Sequence, residues 1–158
     1  MALEMVTFVV PDYQDGLDFF VGHLGWRVSE DVEATANDGS TKRWVVVEAA
    51  DGGPKVLLAR AANALQRASV GRQTTGRVGF FLRVLDFDET LGRLRTANLE
   101  IVGDPRTEPY GRVVVFRDPF GNLWDLLGPL QLTSTPECVD RDSAQDEQGL
   151  GAAQAITQ

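Results

Sequence analysis

The chain has 158 residues, of which 43% are hydrophobic and 24% charged, and its formal net charge at pH 7 is −8. This balance is typical of a globular protein with one domain, or with two small modules that share a core. No apolar run approaches the roughly 18 residues that a membrane span needs, and no basic stripe indicates a nucleic-acid interface. We therefore expect neither a membrane nor a nucleic acid as a partner.

The first predicted module covers residues 1–60. The β-rich run "MVTFVV" is followed by Asp12, whose side chain can cap a helix. An apolar stripe at helical spacing comes next, formed by Leu17, Phe20, Val21 and Leu24. Gly25 is suited to end this helix. The segment "RWVVVEAADGGPKVLLAR" then predicts two strands joined by a glycine-containing turn.

The second predicted module, residues 76–131, repeats this layout 74 positions later, so that Asp86 matches Asp12. Its helix has an apolar stripe formed by Phe87, Leu91 and Leu94, and Asn98 can end it. The segment "GRVVVFRDPFGNLWDLLG" predicts the second hairpin. Residues 61–75 form a linker in which "AANALQRASVG" favours a short helix. We predict an α+β fold built from two tandem βαβββ modules.

A polar segment, residues 132–158, follows the second module and holds one basic and five acidic residues. It cannot bury enough apolar area to offset its ordering entropy, so we predict a disordered acidic tail. Its Cys138 is the one cysteine of the chain and cannot form an internal disulfide. The run "MALEMVTFVV" has neither the basic region nor the cleavage site of a signal peptide, so we expect a cytoplasmic location.

The turn and strand "DPFGNLWDLL", at the end of a twofold βαβββ repeat, resemble the vicinal oxygen chelate superfamily. That superfamily includes glyoxalase I, extradiol dioxygenases and bleomycin-resistance proteins. The resemblance covers about residues 3–130 and is most specific at the Asp-Pro-x-Gly-Asn turn, which an acid follows three residues later. It implies that the two modules form a cup-shaped mixed sheet around a ligand cavity.

The resemblance also implies where a metal would bind, because enzymes of the superfamily hold a divalent ion on the first and last strands of each module. Those four positions fall on Met5, Gly79, Asp125 and either Val56 or Leu57. Hard and borderline divalent metals need several oxygen or nitrogen donors at one point, and one carboxylate does not suffice. We therefore predict no metal site and no other cofactor.

Alternation of side chains along each strand predicts which residues line the cup. The lining is largely apolar, and we expect Gly79 to leave space within it. Val78, Phe80 and Leu82 should face the helices instead. The predicted ligand-binding residues are Met5, Thr7, Phe81, Arg83, Tyr110, Leu123 and Asp125. A largely apolar concavity with a few directed polar groups is typical of a small-molecule site.

Two alternatives stay open for Arg83 and Asp125. They compensate each other as an ion pair, or they recognise a ligand, in which case Asp125 is also the candidate catalytic acid–base group. Two alternatives also stay open for Tyr110, which either overhangs the mouth of the cavity or covers the edge of the sheet.

The favoured function is the binding of a small organic molecule in a largely apolar cup without the usual catalytic metal. The alternatives are a metal-dependent glyoxalase-like lyase or dioxygenase with displaced ligands, and a drug-sequestering resistance protein. The resemblance implies that such a drug-sequestering protein is metal-free and dimeric and favours cationic drugs. If the chain is an enzyme, a metal-independent lyase or isomerase activity is favoured. We also expect a homodimer, from the resemblance and from three tryptophans that have no assigned role.

Overall fold

Two βαβββ modules make up the part of the chain that the structure describes, which is residues 1–35 and 39–130 of a computed structural model. The first module contains β1 (Met5–Val10), α1 (Tyr13–Leu17), β2 (Arg27–Thr35), β3 (Thr41–Glu48) and β4 (Lys55–Arg60). The linker contains the predicted short helix, α2 (Ala64–Ser69). The second module contains β5 (Val78–Arg83), α3 (Phe87–Thr96), β6 (Glu100–Glu108), β7 (Gly111–Arg117) and β8 (Leu123–Gly128). The predicted tail, residues 132–158 with Cys138, lies outside the described residues.

Each module forms its own four-stranded mixed sheet. The strand order is β1-β4-β3-β2 in the first sheet and β5-β8-β7-β6 in the second. The pairs β1/β4 and β5/β8 are parallel, and the other neighbours are antiparallel. The predicted fold of two tandem βαβββ modules is therefore confirmed, with two sheets that are hydrogen-bonded separately.

The helix of each module begins and ends at the predicted residues. The carboxylates of Asp12 and Asp86 accept hydrogen bonds from backbone N–H groups of the first turn, at 3.0 and 2.9 Å. Gly25 and Asn98 have φ angles of +73° and +56°, the left-handed conformation that ends helices. No helix within the described residues is long and apolar enough to cross a membrane.

A π-helical turn, Asp18–His23, continues α1 and changes which side chains reach the core. Both Phe19 and Phe20 are fully buried, whereas the predicted stripe contained only Phe20. The other stripe residues, Leu17, Val21 and Leu24, are half-buried against the same core. The prediction missed Phe19 because α-helical spacing does not describe a π turn, in which the hydrogen bonds span five residues.

One hydrophobic core joins the helix-facing sides of both sheets. The ring centroid of Phe8 on β1 lies 5.1 Å from that of Phe80 and 6.2 Å from that of Trp124. Phe19 lies 5.6 Å from Trp124. These aromatic contacts connect the first module to the second. The predicted stripe of α3 is buried in the same core, as Phe87, Leu91 and Leu94.

The carboxylate of Asp118 organises the Asp-Pro-Phe-Gly-Asn turn between β7 and β8. Asp118 is 3% exposed, and its Oδ1 accepts hydrogen bonds from the backbone N–H groups of Phe120, Gly121 and Asn122. Its Oδ2 accepts from Asn122 Nδ2 at 2.8 Å and from Trp124 Nε1 at 3.0 Å. Because these bonds satisfy donors in and beside the core, they fix the start of β8 and direct Trp124 inward.

Gln73, which lies in the linker, forms hydrogen bonds with both modules. Its backbone N–H donates to Asn122 Oδ1 at 3.4 Å, and its side-chain Oε1 accepts from the Val9 N–H at 2.9 Å. The side chain thereby covers part of the free edge of β1, where the Val9 N–H has no neighbouring strand. A chain of polar contacts thus runs from the Asp118 turn to the first strand of the other module.

Replacing Asp118 tests this description of the turn. Asp118→Ala removes five hydrogen bonds and leaves several donors without a partner, so we expect the free energy of unfolding to fall by about 3 kcal/mol or more. Urea unfolding followed by tryptophan fluorescence measures the change. The control Asp15→Ala removes an exposed carboxylate on α1 and should cost about 0.5 kcal/mol or less. Equal losses in the two variants would contradict the role of Asp118.

Candidate functional site

Each sheet has one side that faces away from the helices, and we call these two sides the open faces. Their residues alternate along β1, β5 and β8 with the core residues Phe8, Phe80 and Trp124. The open face of the first sheet includes Met5, Thr7, Val9 and Leu57. The open face of the second sheet includes Phe81, Arg83, Leu123, Asp125 and Leu127. Strand alternation therefore brings six of the seven predicted ligand-binding residues onto these faces, with Tyr110 as the exception.

Asp125 lies in the middle of the open face of the second sheet. In the register of the strands it is paired with Phe81 on β5 and with Val115 on β7. Leu123 and Leu127 lie before and after it on the same side of β8. The carboxylate is therefore surrounded by four apolar residues, of which Phe81 is 64% exposed.

The side chain of Asp125 is buried without a complete set of hydrogen bonds. It is 8% exposed, and its Oδ1 is shielded from solvent and has no hydrogen-bond partner among the described residues. Burial disfavours the ionised form and raises the pKa of Asp125, while the positive charge of Arg106 on β6 opposes part of this effect. A buried polar atom without a partner carries a free-energy cost, and a ligand donor that reaches this oxygen when the side chain turns toward the open face would remove that cost.

Of the two alternatives for Arg83 and Asp125, the ion pair is not formed. Neither residue takes part in an ion pair anywhere in residues 1–35 and 39–130. Arg83 is exposed and lies opposite Leu127. The cation that acts on Asp125 is Arg106, which the sequence analysis missed. Arg106 was missed because the register of β6 shifts between Val102 and Arg106, and the alternation of side chains cannot be extended across such a bulge.

The predictions for Gly79 and Val78 were wrong. A Cβ atom on Gly79 would overlap the side chain of Thr74, so the linker already fills the space that we expected to be open. A register shift between Val78 and Phe80 places Val78 opposite Leu123, outside the core cluster. Phe80 packs against the core as predicted. The bulge at Gly79 breaks the alternation on which both predictions depended.

Register identifies the first-module residue that corresponds to Asp125. Leu57 lies opposite Thr7 on β1, as Asp125 lies opposite Phe81 on β5. The alternative, Val56, belongs to the hydrophobic core. The open face of the first sheet therefore holds an aliphatic side chain where the second sheet holds a carboxylate.

The donor set at the four positions implied for a metal does not fit a divalent ion. They supply the carboxylate of Asp125, the thioether of Met5 and no donor from Leu57 or Gly79. Hard and borderline metals require several oxygen or nitrogen donors. In the part of the chain that the structure describes, no three His, Cys, Asp or Glu side chains form a group that could hold a metal.

Tyr110 lies in the turn between β6 and β7 and is 55% exposed. Glu108 and Gly111, on either side of this turn, pair with each other at the end of the second sheet, beyond Arg106. The structure therefore does not bring Tyr110 together with Asp125. The aromatic side chain next to the carboxylate is Phe81.

The sequence and the fold together identify the family. The sequence profile of the Glyoxalase/Bleomycin resistance protein/Dioxygenase superfamily matches residues 2–126. The chain belongs to this superfamily. An uncharacterised protein of Shewanella frigidimarina is 40% identical over 123 residues, which are 77% of this chain and 89% of that protein.

Solved structures of the superfamily share the fold. A member from Sphaerobacter thermophilus has a TM-score of 0.64 and 26% identity, and the match covers 81% of this chain and 97% of that one. TnmS3, an antibiotic binding protein from a Streptomyces species, has a TM-score of 0.62 and 25% identity. That match covers 82% of this chain and 96% of TnmS3.

The raised pKa of Asp125 predicts a specific pH dependence of stability. Between the ordinary aspartate value of 3.8 and the higher folded-state value, the folded state holds the proton that the unfolded state has lost. The free-energy contribution of Asp125 to folding therefore falls as the pH rises through this window. Asp125→Asn removes the titration, so its stability should rise relative to wild type over the same window. Urea unfolding at a series of pH values measures the difference in the free energy of unfolding between the two proteins. If wild type gains stability relative to Asp125→Asn as the pH rises, the pKa of Asp125 is not raised.

Proposed function

We propose that this superfamily member binds a small organic molecule on the open face of its second sheet, through Asp125 and without a divalent metal. The observation that carries the proposal is the shielded Oδ1 of Asp125, which has no hydrogen-bond partner among the described residues. A ligand with an apolar body and a cationic donor would supply that partner and cover the exposed ring of Phe81. Metal independence is supported by the donor set, in which Asp125 is the one carboxylate.

Binding is favoured over acid–base catalysis because none of the hydrogen bonds among the described residues links Asp125 to a second titratable group. A general acid or base is usually oriented and tuned by such a partner. A second candidate function is the sequestration of an antibiotic. It is supported by the likeness to TnmS3, which is an antibiotic binding protein.

Aromatic amines test the proposed site. We expect benzylamine or 2-(aminomethyl)naphthalene to raise the melting temperature of the full chain, since a ligand of the native state stabilises it. Asp125→Asn should weaken binding about tenfold, because a charge-assisted hydrogen bond becomes a neutral one. Isothermal titration with EDTA present should give the same Kd as titration without it.

A matched control is Asp88→Asn, which removes an exposed carboxylate from the helix side of the second module. It should leave the Kd for the amines unchanged. The proposal is wrong if Asp125→Asn and Asp88→Asn bind the amines equally well, or if EDTA abolishes binding.

The homodimer stays a prediction, but the tryptophans no longer support it. Trp124 is a core residue and Trp26 packs against the core, while Trp44 Nε1 donates to Glu30 at 3.1 Å. The support that remains is the resemblance to drug-sequestering proteins of the superfamily, which are dimeric. We propose a homodimer whose interface leaves Phe81 free to contact the ligand. Light scattering on the full chain should give twice the monomer mass, and a monomer mass at all concentrations would contradict it.

A further inference from the structure

Arg83 differs from the other arginines on the strands of the second sheet. Each of those three has an acidic partner within hydrogen-bond distance: Arg106 with Glu108, Arg112 with Asp88, and Arg117 with Glu100, at 2.9, 2.7 and 2.8 Å. Arg83 has no such partner among the described residues, although it shares an open face with Asp125. An uncompensated cation and an unbonded carboxylate therefore lie on the same side of one sheet.

The spacing of these two groups is set by the strand register. Phe81 is the direct partner of Asp125, so Arg83 is its diagonal neighbour across β5 and β8. Because neighbouring strands lie about 4.8 Å apart and two residues along a strand span about 6.6 Å, these diagonal neighbours have Cα atoms about 8 Å apart, which a long side chain can span. The two groups nevertheless do not pair. Phe81, which is 64% exposed, lies beside the carboxylate of Asp125. On β5 it precedes Arg83 by two residues.

A purely cationic ligand would be attracted by Asp125 and repelled by Arg106, which acts on Asp125, and by Arg83, which lies two residues beyond Phe81 on β5. A ligand with an acidic group next to Arg83 would change that repulsion into attraction. Arginine binds carboxylates through two parallel hydrogen bonds, so a planar acid is the group that suits this position best.

We propose that the ligand of this site is an amphoteric aromatic molecule, with an ammonium or hydroxyl donor on Asp125 Oδ1, a ring against Phe81 and a carboxylate on Arg83. This inference rests on the proposed function and deepens it, because it specifies the second charged group of the ligand. The diagonal separation of Asp125 and Arg83 across β5 and β8 places that carboxylate on the order of 8 Å from the donor. One benzene ring that carries the two groups in para positions spans that length.

Two probes with the same ring and the same ammonium test the inference: 4-(aminomethyl)benzoate and its methyl ester, in which the acid is blocked by one methyl group. NMR titration of the full chain at low salt measures both Kd values. Wild type should bind the acid about fivefold more tightly than the ester, as expected for one exposed ion pair. Arg83→Gln should weaken binding of the acid and strengthen binding of the ester. A merely structural role of Arg83 would not change the two Kd values in opposite directions.

The control Arg95→Gln removes one positive charge from the exposed side of α3 and should keep the preference for the acid. If wild type binds the two probes equally, or if Arg83→Gln keeps the preference, the inference is wrong. The proposed function then stands as long as Asp125→Asn still weakens binding of the ester. If neither probe binds, or if Asp125→Asn leaves both Kd values unchanged, the proposed function and the inference both fail.

Discussion

The hydrogen bonds accepted by the Asp118 carboxylate set the register of the strand on which the candidate site depends. By holding Asn122 and the indole N–H of Trp124, Asp118 fixes the side of β8 that faces the core. Strand alternation then places Asp125 on the opposite side. A shift of one residue would exchange the two, leaving a carboxylate in the core and an indole on the open face. The position of the site therefore follows from the turn that precedes it.

The two modules share one architecture but carry different side chains at equivalent positions. In the first, the position equivalent to Asp125 holds Leu57, and Gln73 covers part of the free edge of β1. In the second, the equivalent position keeps a carboxylate that is buried among apolar side chains. Its Oδ1, which has no hydrogen-bond partner among the described residues, carries a free-energy cost that the proposed ligand would remove.

Most of the fold could be predicted from the sequence because local signals were repeated. Asp12 and Asp86 cap their helices, and Gly25 and Asn98 end them, as their chemistry indicates. The failures occur where the backbone departs from regular geometry. The π turn buries Phe19, and bulges in β5 and β6 move Val78 out of the core and bring Arg106 near Asp125. No sequence signal shows that Arg83 and Asp125 do not pair, because pairing depends on the directions of their side chains.

A crystal structure of the chain, grown with EDTA and 4-(aminomethyl)benzoate, tests the central claim most directly. The claim is that one buried carboxylate on an open face, with no metal, recognises a small organic molecule. It predicts an ammonium nitrogen about 2.8 Å from Asp125 Oδ1, with the ring of the ligand against Phe81. A ligand bound on another surface, with Asp125 Oδ1 still lacking a partner, would contradict the claim.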